Sequence, residues 1–324
     1  MILKRWIVLL SLIISHQSTA QMIDSVITGA GQVNSYLPII SDKNIAVVAN
    51  QTSIVGKTHL VDLLLSKHVK INKIFTPEHV FRGTAEAGEN IESGKDKSTG
   101  LPIISLYGNH KKPTTDDLKG IDIVLFDLQD VGTRFYTYSS TLQYVMEACA
   151  ENKKKLIVLD RPNPNGYYVD GPVLEPEFKS FVGLNPIPVV HGLTMGEYAQ
   201  MLNGEGWLAN KEQCDVTVIS VKGYTHETRY KLPVNPSPNL PNMTAVYLYP
   251  SLCFFEGTIV SIGRGTAYPF QVVGYPGFTE GPFEFTPKKN PEMKLPPLYE
   301  NQKCKGFDLR DFGDYYIPSL KKLY

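Results

Sequence analysis

Three short apolar runs in this chain each end in a carboxylate. Residues 71–75 run into Thr76-Pro77-Glu78-His79, residues 121–126 into Asp127-Leu128-Gln129-Asp130, and residues 156–159 into Asp160-Arg161-Pro162-Asn163. Short apolar runs separated by stretches of helical spacing are the pattern of a parallel sheet buried on both faces. The helical stretches lie at 59–67, with Leu60, Leu63 and Leu64 together, and at 139–152, with Leu142, Val145, Met146 and Cys149 on one face. Further strands are predicted at 45–49, 101–106 and 216–221, and Thr194 with Glu197 three residues on predicts a capped helix start. The fold class expected is α/β: a Rossmann-like, mostly parallel sheet flanked by helices, with a second, smaller α+β domain. Ligands of such sheets sit beyond the carboxyl ends of the strands. Acids delivered there repeatedly point to acid–base chemistry or metal binding.

The sequence also carries a leader and a break. Lys4 and Arg5 precede an apolar stretch at 6–14, and Ser18-Thr19-Ala20 offers small residues for cleavage. Residues 1–20 therefore read as a signal peptide and the remainder as periplasmic or secreted. No Cys follows the cleavage point to carry a lipid, and no later stretch is apolar for long enough to span a bilayer, so no membrane anchor is expected. Removing Lys4 and Arg5 from 32 basic residues leaves 30 against 32 acidic ones, a formal charge of −2, without the basic excess of a nucleic-acid binder. Cys149, Cys214, Cys253 and Cys304 are too few and too scattered for a disulfide scaffold and read as buried free thiols. Four prolines and three asparagines crowd residues 232–242, marking a rigid crossing between a catalytic domain at 21–230 and a smaller one at 231–324. Residues 317–324 have helical spacing without a stop signal, so the sequence is expected to be a piece of a longer chain.

Glu78 shares a turn with His79 and Arg82, and Pro77 restricts the backbone before it. A Glu acting as a general acid needs burial or a like charge to raise its pKa. Arg82 opposes that, so it reads as a substrate ligand or as half of a bracing ion pair. The Gly- and charge-rich stretch at 82–100 that follows is expected to be a long loop over the site. Asp127 and Asp130 precede Arg134, Tyr136 and Tyr138. Carboxylates, a guanidinium and aromatic faces together suit a sugar. The plainer alternative has Asp127 capping the next element and Arg134 paired with Asp130. Asp160-Arg161 opens a stiff turn that closes at Asn165-Gly166, and His191 reads as a packed or capping residue rather than a ligand. In the second half, Glu256 and Arg264 stand out, the latter between two glycines that allow a tight, projecting turn.

Several chemistries lack their motif. Gly263-Arg264-Gly265-Thr266 does not end as a Walker loop, and no G-x-G-x-x-G follows the first strand, so no nucleotide cofactor is expected. Neither His-Glu-x-x-His nor paired Cys-x-x-Cys occurs, and no metal is expected. A Gly-x-Ser-x-Gly elbow is missing as well.

Taken in order, Asn50-Gln51-Thr52-Ser53, Pro77-Glu78-His79-Val80-Phe81-Arg82-Gly83, Ala87-Gly88-Glu89, the 127–138 and 160–166 segments, Pro236-Ser237-Pro238-Asn239-Leu240-Pro241, Phe255-Glu256-Gly257-Thr258 and Gly263-Arg264-Gly265-Thr266 resemble one family. It is the NamZ-like exo-β-N-acetylmuramidase family, long catalogued as a domain of unknown function. The resemblance runs from about residue 25 to about residue 280. It implies a Rossmann-like larger domain, a smaller C-terminal domain and a cleft between them. It also implies release of N-acetylmuramic acid from the non-reducing end of peptidoglycan fragments, without nucleotide or metal.

By position, Glu78 matches the family's candidate catalytic glutamate in its Pro-Glu-His-Gly-Phe-Arg-Gly motif. Val80 stands where that Gly is usual; a β-branched residue disfavours positive φ, so the backbone around Glu78 is expected to differ. Glycoside hydrolysis asks for an acid at the leaving oxygen and a second carboxylate. Glu78 is then the acid, and Asp127, Asp130, Asp160 and Glu256 compete for the second role, which the sugar's own acetamido oxygen could share. The lactyl carboxylate of muramic acid needs a cation, for which Arg82, Arg134 and Arg264 are candidates. His79, Tyr136 and Tyr138 complete the expected sugar contacts. Two rivals stay open: a sugar-binding protein without turnover, and a metal-dependent hydrolase using His79, Asp127, Asp130 and His191.

Overall fold

Strand β1 (Asn44–Ala49) shows why the sheet is buried on both faces. Ile45, Val47 and Ala49 enter one apolar core while Ala46 and Val48 enter another, the period-two alternation of a strand. In the computed structural model, which describes residues 26–77, 81–82, 94–290, 293 and 295–312, β1 is followed by a small antiparallel pair, β2 (Ile54–Val55) and β3 (Thr58–His59). Then come β4 (Lys70–Thr76), β5 (Gly94–Lys95), β6 (Pro102–Ser105), β7 (Ile123–Asp127), β8 (Lys155–Leu159) and β9 (Val216–Ile219). The seven-stranded sheet runs β5-β6-β4-β1-β7-β8-β9, with every neighbouring pair parallel except the β5 edge. The chain works outward from β1 to β4 and β6, then returns to β1's other side and works outward again. This is a doubly wound sheet with its switch point between β1 and β7.

Helices cover both faces. Helix α1 (Val33–Ile40) and helix α2 (Leu60–Ser66) bury Tyr36, Ile40, Leu60 and Leu64 on one side. Helix α3 (Tyr138–Glu151) and helix α4 (Met195–Gly204) bury Leu142, Met146, Tyr198 and Leu202 on the other. The smaller domain holds α5 (Met243–Leu252) and an antiparallel sheet of β10 (Val272–Tyr275), β11 (Phe283–Phe285) and β12 (Cys304–Asp308), ordered β10-β12-β11. Its core gathers Leu240, Val246, Leu252 and Phe270 around α5, and Val131, carried by the loop after β7, is part of it.

The α/β class and every strand and helix predicted for the large sheet are present, with ends within two residues of expectation. The capped start at Thr194 is present too: its hydroxyl accepts the Glu197 N–H while the Glu197 carboxylate accepts the Thr194 N–H. All four cysteines are free and buried. Helices α1 and α5 were not anticipated. Each contains a proline, Pro38 and Pro250, and an internal proline reads as a helix breaker until the neighbouring packing is known. Part of the expected 82–100 loop is strand β5, and residues 83–93 lie outside the described residues, as do the 1–20 leader and the 317–324 segment. Among the described residues no helix is long and apolar enough to cross a membrane.

Candidate active site

At the switch point, where open sheets of this topology receive ligands, the carboxyl ends of β1 and β7 are bridged by polar side chains. Ser53 donates its hydroxyl to the Asp127 carbonyl at 2.5 Å, Thr52 donates to Asn50 Oδ1 at 2.6 Å, and Asn50 Nδ2 donates to the Tyr138 hydroxyl at 2.7 Å. Asp127 itself is fully buried and held by Arg161, Nε to Oδ1 at 2.5 Å and Nη2 to Oδ2 at 2.9 Å. Burial disfavours the Arg161 charge, but Asp127 more than offsets this and holds the guanidinium's pKa above its ordinary value. Both oxygens of Asp127 are thereby committed. The ion pair β7–turn–β8 is a strut across the crevice, and the pairing of Asp127 with Arg161 was not visible in the sequence.

Asp160 is also committed. Its Oδ1 accepts the N–H groups of Gly196 at 2.8 Å and Arg161 at 3.0 Å, and its Oδ2 accepts the Thr194 hydroxyl at 2.7 Å. It therefore seats the N-terminus of α4 on the end of β8. Gly196 is the residue that lets helix and acid approach, because a Cβ there would meet Asp160 Oδ2 at 2.7 Å. Burial pushes the Asp160 carboxyl up to about 6 against the pull of the Gly196, Thr194 and Arg161 donors. A carboxyl raised above its unfolded value contributes stability that is fully present below about pH 4 and lost as pH rises through its folded value. Asp160→Asn is therefore expected to flatten the stability profile between about pH 4 and pH 6, read as urea midpoints across that range; an unchanged pH dependence would contradict this.

Asp130 is different. Its Oδ1 accepts the Gly132 N–H at 2.6 Å, while its Oδ2, closed off from bulk water, has no hydrogen-bond partner among the described residues. His191 Nε2 lies 3.7 Å from Oδ1 and is likewise without a partner there. Gln129 Oε1, Thr133 Oγ1 and Ser140 Oγ share that condition. Buried polar atoms are nearly always paired with protein groups or ordered water, yet Asp130 keeps one carboxylate oxygen that no described side chain engages.

The cations sort in the same way. Arg82 forks onto two carboxylates, meeting Asp62 at 2.6 and 2.8 Å and Asp96 at 2.8 Å twice. It anchors the segment just after Glu78 to α2 and to the start of the β5–β6 turn. Arg134 does not pair with Asp130; it is buried and donates to the Ile187 and Pro172 carbonyls at 2.5 and 3.4 Å. Arg264 is half-exposed, meets Glu256 at 3.0 Å and lies over the Phe270 ring at 5.2 Å. The hollow beside it, about 480 Å3, includes Gly265, Thr266, Tyr268, Lys288 and Lys289 but none of the strand-end acids.

Tyr138 is buried and Tyr136 is half-buried. Tyr138 is in the large core, and Tyr136 donates its hydroxyl to the Pro236 carbonyl at 2.7 Å. They begin a ladder of rings: Tyr138 to Tyr136 at 4.9 Å, Tyr136 to Tyr249 at 5.8 Å and Tyr249 to Phe270 at 4.9 Å. Edge-to-face and tilted rings at these separations attract. The ladder carries the large sheet through to Arg264. Burial drives the Tyr249 hydroxyl's pKa well above its ordinary value, and the charges of Glu256, Arg264 and Asp130 all reach it. Glu78 and His79 lie outside the described residues; β4 ends at Thr76, one strand from β1. Among the described residues no three His, Cys, Asp or Glu side chains converge as metal ligands.

A doubly wound sheet with acids at its carboxyl edge and a smaller antiparallel-sheet domain packed beside it defines a Rossmann-like α/β scaffold whose ligands are expected at that edge. The chain belongs to the exo-β-N-acetylmuramidase NamZ family: residues 45–244 match the family's N-terminal domain and residues 247–319 its C-terminal domain. It is 44% identical over 248 residues to the peptidoglycan β-N-acetylmuramidase NamZ of Bacillus subtilis, covering 74% of this chain. The chain spans 59% of that relative's length. Two crystal structures of DUF1343 family proteins from Bacteroides fragilis share the fold. One is 51% identical with a TM-score of 0.83, covering 90% of this chain and 78% of its own. The other is 30% identical with a TM-score of 0.78, covering 92% and 78%.

Proposed function

We propose that this chain is an exo-acting glycoside hydrolase, exported to the periplasm or beyond, that releases N-acetylmuramic acid from the non-reducing end of peptidoglycan fragments. The observation that carries the reading is the 44% identity to a peptidoglycan β-N-acetylmuramidase over most of this chain. The motif match at Glu78 and the hydrogen bonds of the described residues together support a division of labour. Glu78, two residues beyond the end of β4 in sequence, donates the proton to the leaving oxygen. Asp130 is the second carboxylate, because Asp127 and Asp160 have both oxygens committed and Glu256 is half-exposed on the smaller domain rather than at the end of a sheet strand. Its burial suits Asp130 to orienting a nucleophile, either water or the sugar's acetamido oxygen. Arg264 is the cation for the lactyl carboxylate: Arg82 is forked onto two carboxylates and Arg134 is buried, whereas Arg264 is half-exposed and meets Glu256 through Nη2 alone.

Incubation with N-acetylmuramyl-β-1,4-N-acetylglucosamine tests this directly. Mass spectrometry is expected to show free N-acetylmuramic acid and N-acetylglucosamine, and a longer glycan is expected to lose only its terminal muramic acid. Saturable binding of the disaccharide with no product after prolonged incubation would replace the hydrolase by a sugar-binding protein. Internal cleavage of the longer glycan would remove the exo-action.

A further inference from the structure

The loop after β7 and the segment before α4 meet as two short antiparallel stretches. Thr133 bridges Val190, the Arg134 N–H donates to the Val189 carbonyl at 2.8 Å, and the His191 N–H donates to the Gly132 carbonyl at 3.3 Å. This pairing fixes His191 beside Asp130, and both are more than nine-tenths buried. The ring is fixed from a second side by the Leu193 N–H, which donates to His191 Nδ1 at 3.1 Å. An Nδ1 that accepts leaves the proton of the neutral ring on Nε2. That Nε2–H has no partner among the described residues and lies 3.7 Å from Asp130 Oδ1, just beyond hydrogen-bond length. Tyr198 stacks on the imidazole, ring centroids 6.3 Å apart and planes at 26°, closing its outer face.

We infer that His191 is a positioning residue for Asp130. The Gly132 N–H and the His191 Nε2–H both address Oδ1, so the carboxylate is turned in one sense and Oδ2 is the oxygen left for the reaction. Hydrogen bonds of this kind are often long in the unliganded enzyme and tighten when substrate completes the site. The inference rests on the reading of Asp130 as the second carboxylate. It adds a residue that was read from sequence as packing.

The test compares kcat, KM and thermal midpoints of wild type, His191→Asn, His191→Gln, Asp130→Asn and the double variant Asp130→Asn/His191→Asn on the muramyl disaccharide. Asn places its amide near Nδ1 and so loses the donor at Nε2, whereas the Gln amide nitrogen reaches the Nε2 position. His191→Asn is expected to lower kcat by about 10²-fold, the scale of a misplaced reacting group, with KM and midpoint little changed. His191→Gln is expected to recover most of that loss, and the double variant to be no slower than Asp130→Asn. A fully active His191→Asn alongside a slow Asp130→Asn overturns the positioning role and leaves the hydrolase reading standing. Asp130→Asn with wild-type kcat removes Asp130 from the reaction, and the inference with it. Should the Asn variant fail to fold, 15N spectra of histidine-labelled wild type still decide: the Nε2–H tautomer is expected at His191, and an Nδ1–H tautomer overturns the inference.

Discussion

Glu78→Gln is expected to lower kcat on the muramyl disaccharide by about three orders of magnitude, the middle of the range for removing a general acid. The substitution keeps the shape of the side chain and deletes only its transferable proton. The leaving group in the disaccharide is a sugar alkoxide, which departs poorly unless protonated as the bond breaks. A nitrophenyl muramide has a leaving group that needs little protonation. The same variant is therefore expected to lose far less on the nitrophenyl substrate, by at least about tenfold. That contrast separates an acid from a residue that merely shapes the pocket, whose loss would slow both substrates alike. Equal losses, or wild-type turnover with folding intact, would take the acid role away from Glu78.

The second large effect falls on stability. Asp127→Asn leaves the Arg161 guanidinium buried beside a neutral amide, with the Ile54 carbonyl at 3.1 Å as its remaining acceptor of full polarity. Removing one partner of a buried ion pair costs about 3–5 kcal/mol, because the surviving charge keeps its desolvation penalty without the compensating attraction. Arg161→Met is expected to cost as much for the mirror reason, and the double variant less than the sum of the two. Urea unfolding at neutral pH measures all three. A loss below about 1 kcal/mol for either single variant would mean that water reaches the pair and screens it, as at a protein surface.

Much of the sheet was legible because a parallel strand buried on both faces writes itself as an uninterrupted apolar run. The runs at 71–75 and 156–159 could hardly be anything else, and the Thr194–Glu197 capping box is a local signal that needs no tertiary information. Helices α1 and α5 were hidden by Pro38 and Pro250, whose cost is offset by packing that only the folded molecule reveals. At the site, the sequence showed which acids reach the carboxyl edge but not which of them are already engaged. That depends on pairs distant along the chain: Asp127 with Arg161, Asp160 with Thr194 and Gly196, Arg82 with Asp62 and Asp96. Asp130 stands apart only once those partners are counted. His191 had no sequence signal beyond its type, since its place beside Asp130 depends on the backbone pairing of 132–134 with 189–191.

The ring ladder from Tyr138 to Phe270 has a consequence for ancestry. The two family domains meet in sequence at residues 244 and 247, inside α5 (Met243–Leu252), and Val131, Phe135 and Tyr136 of the first lie in or against the core of the second. Neither half ends at a finished surface. A recombination that replaced one half alone would join two walls cut for different partners, so a change on one side of the seam is expected to need an answering change on the other.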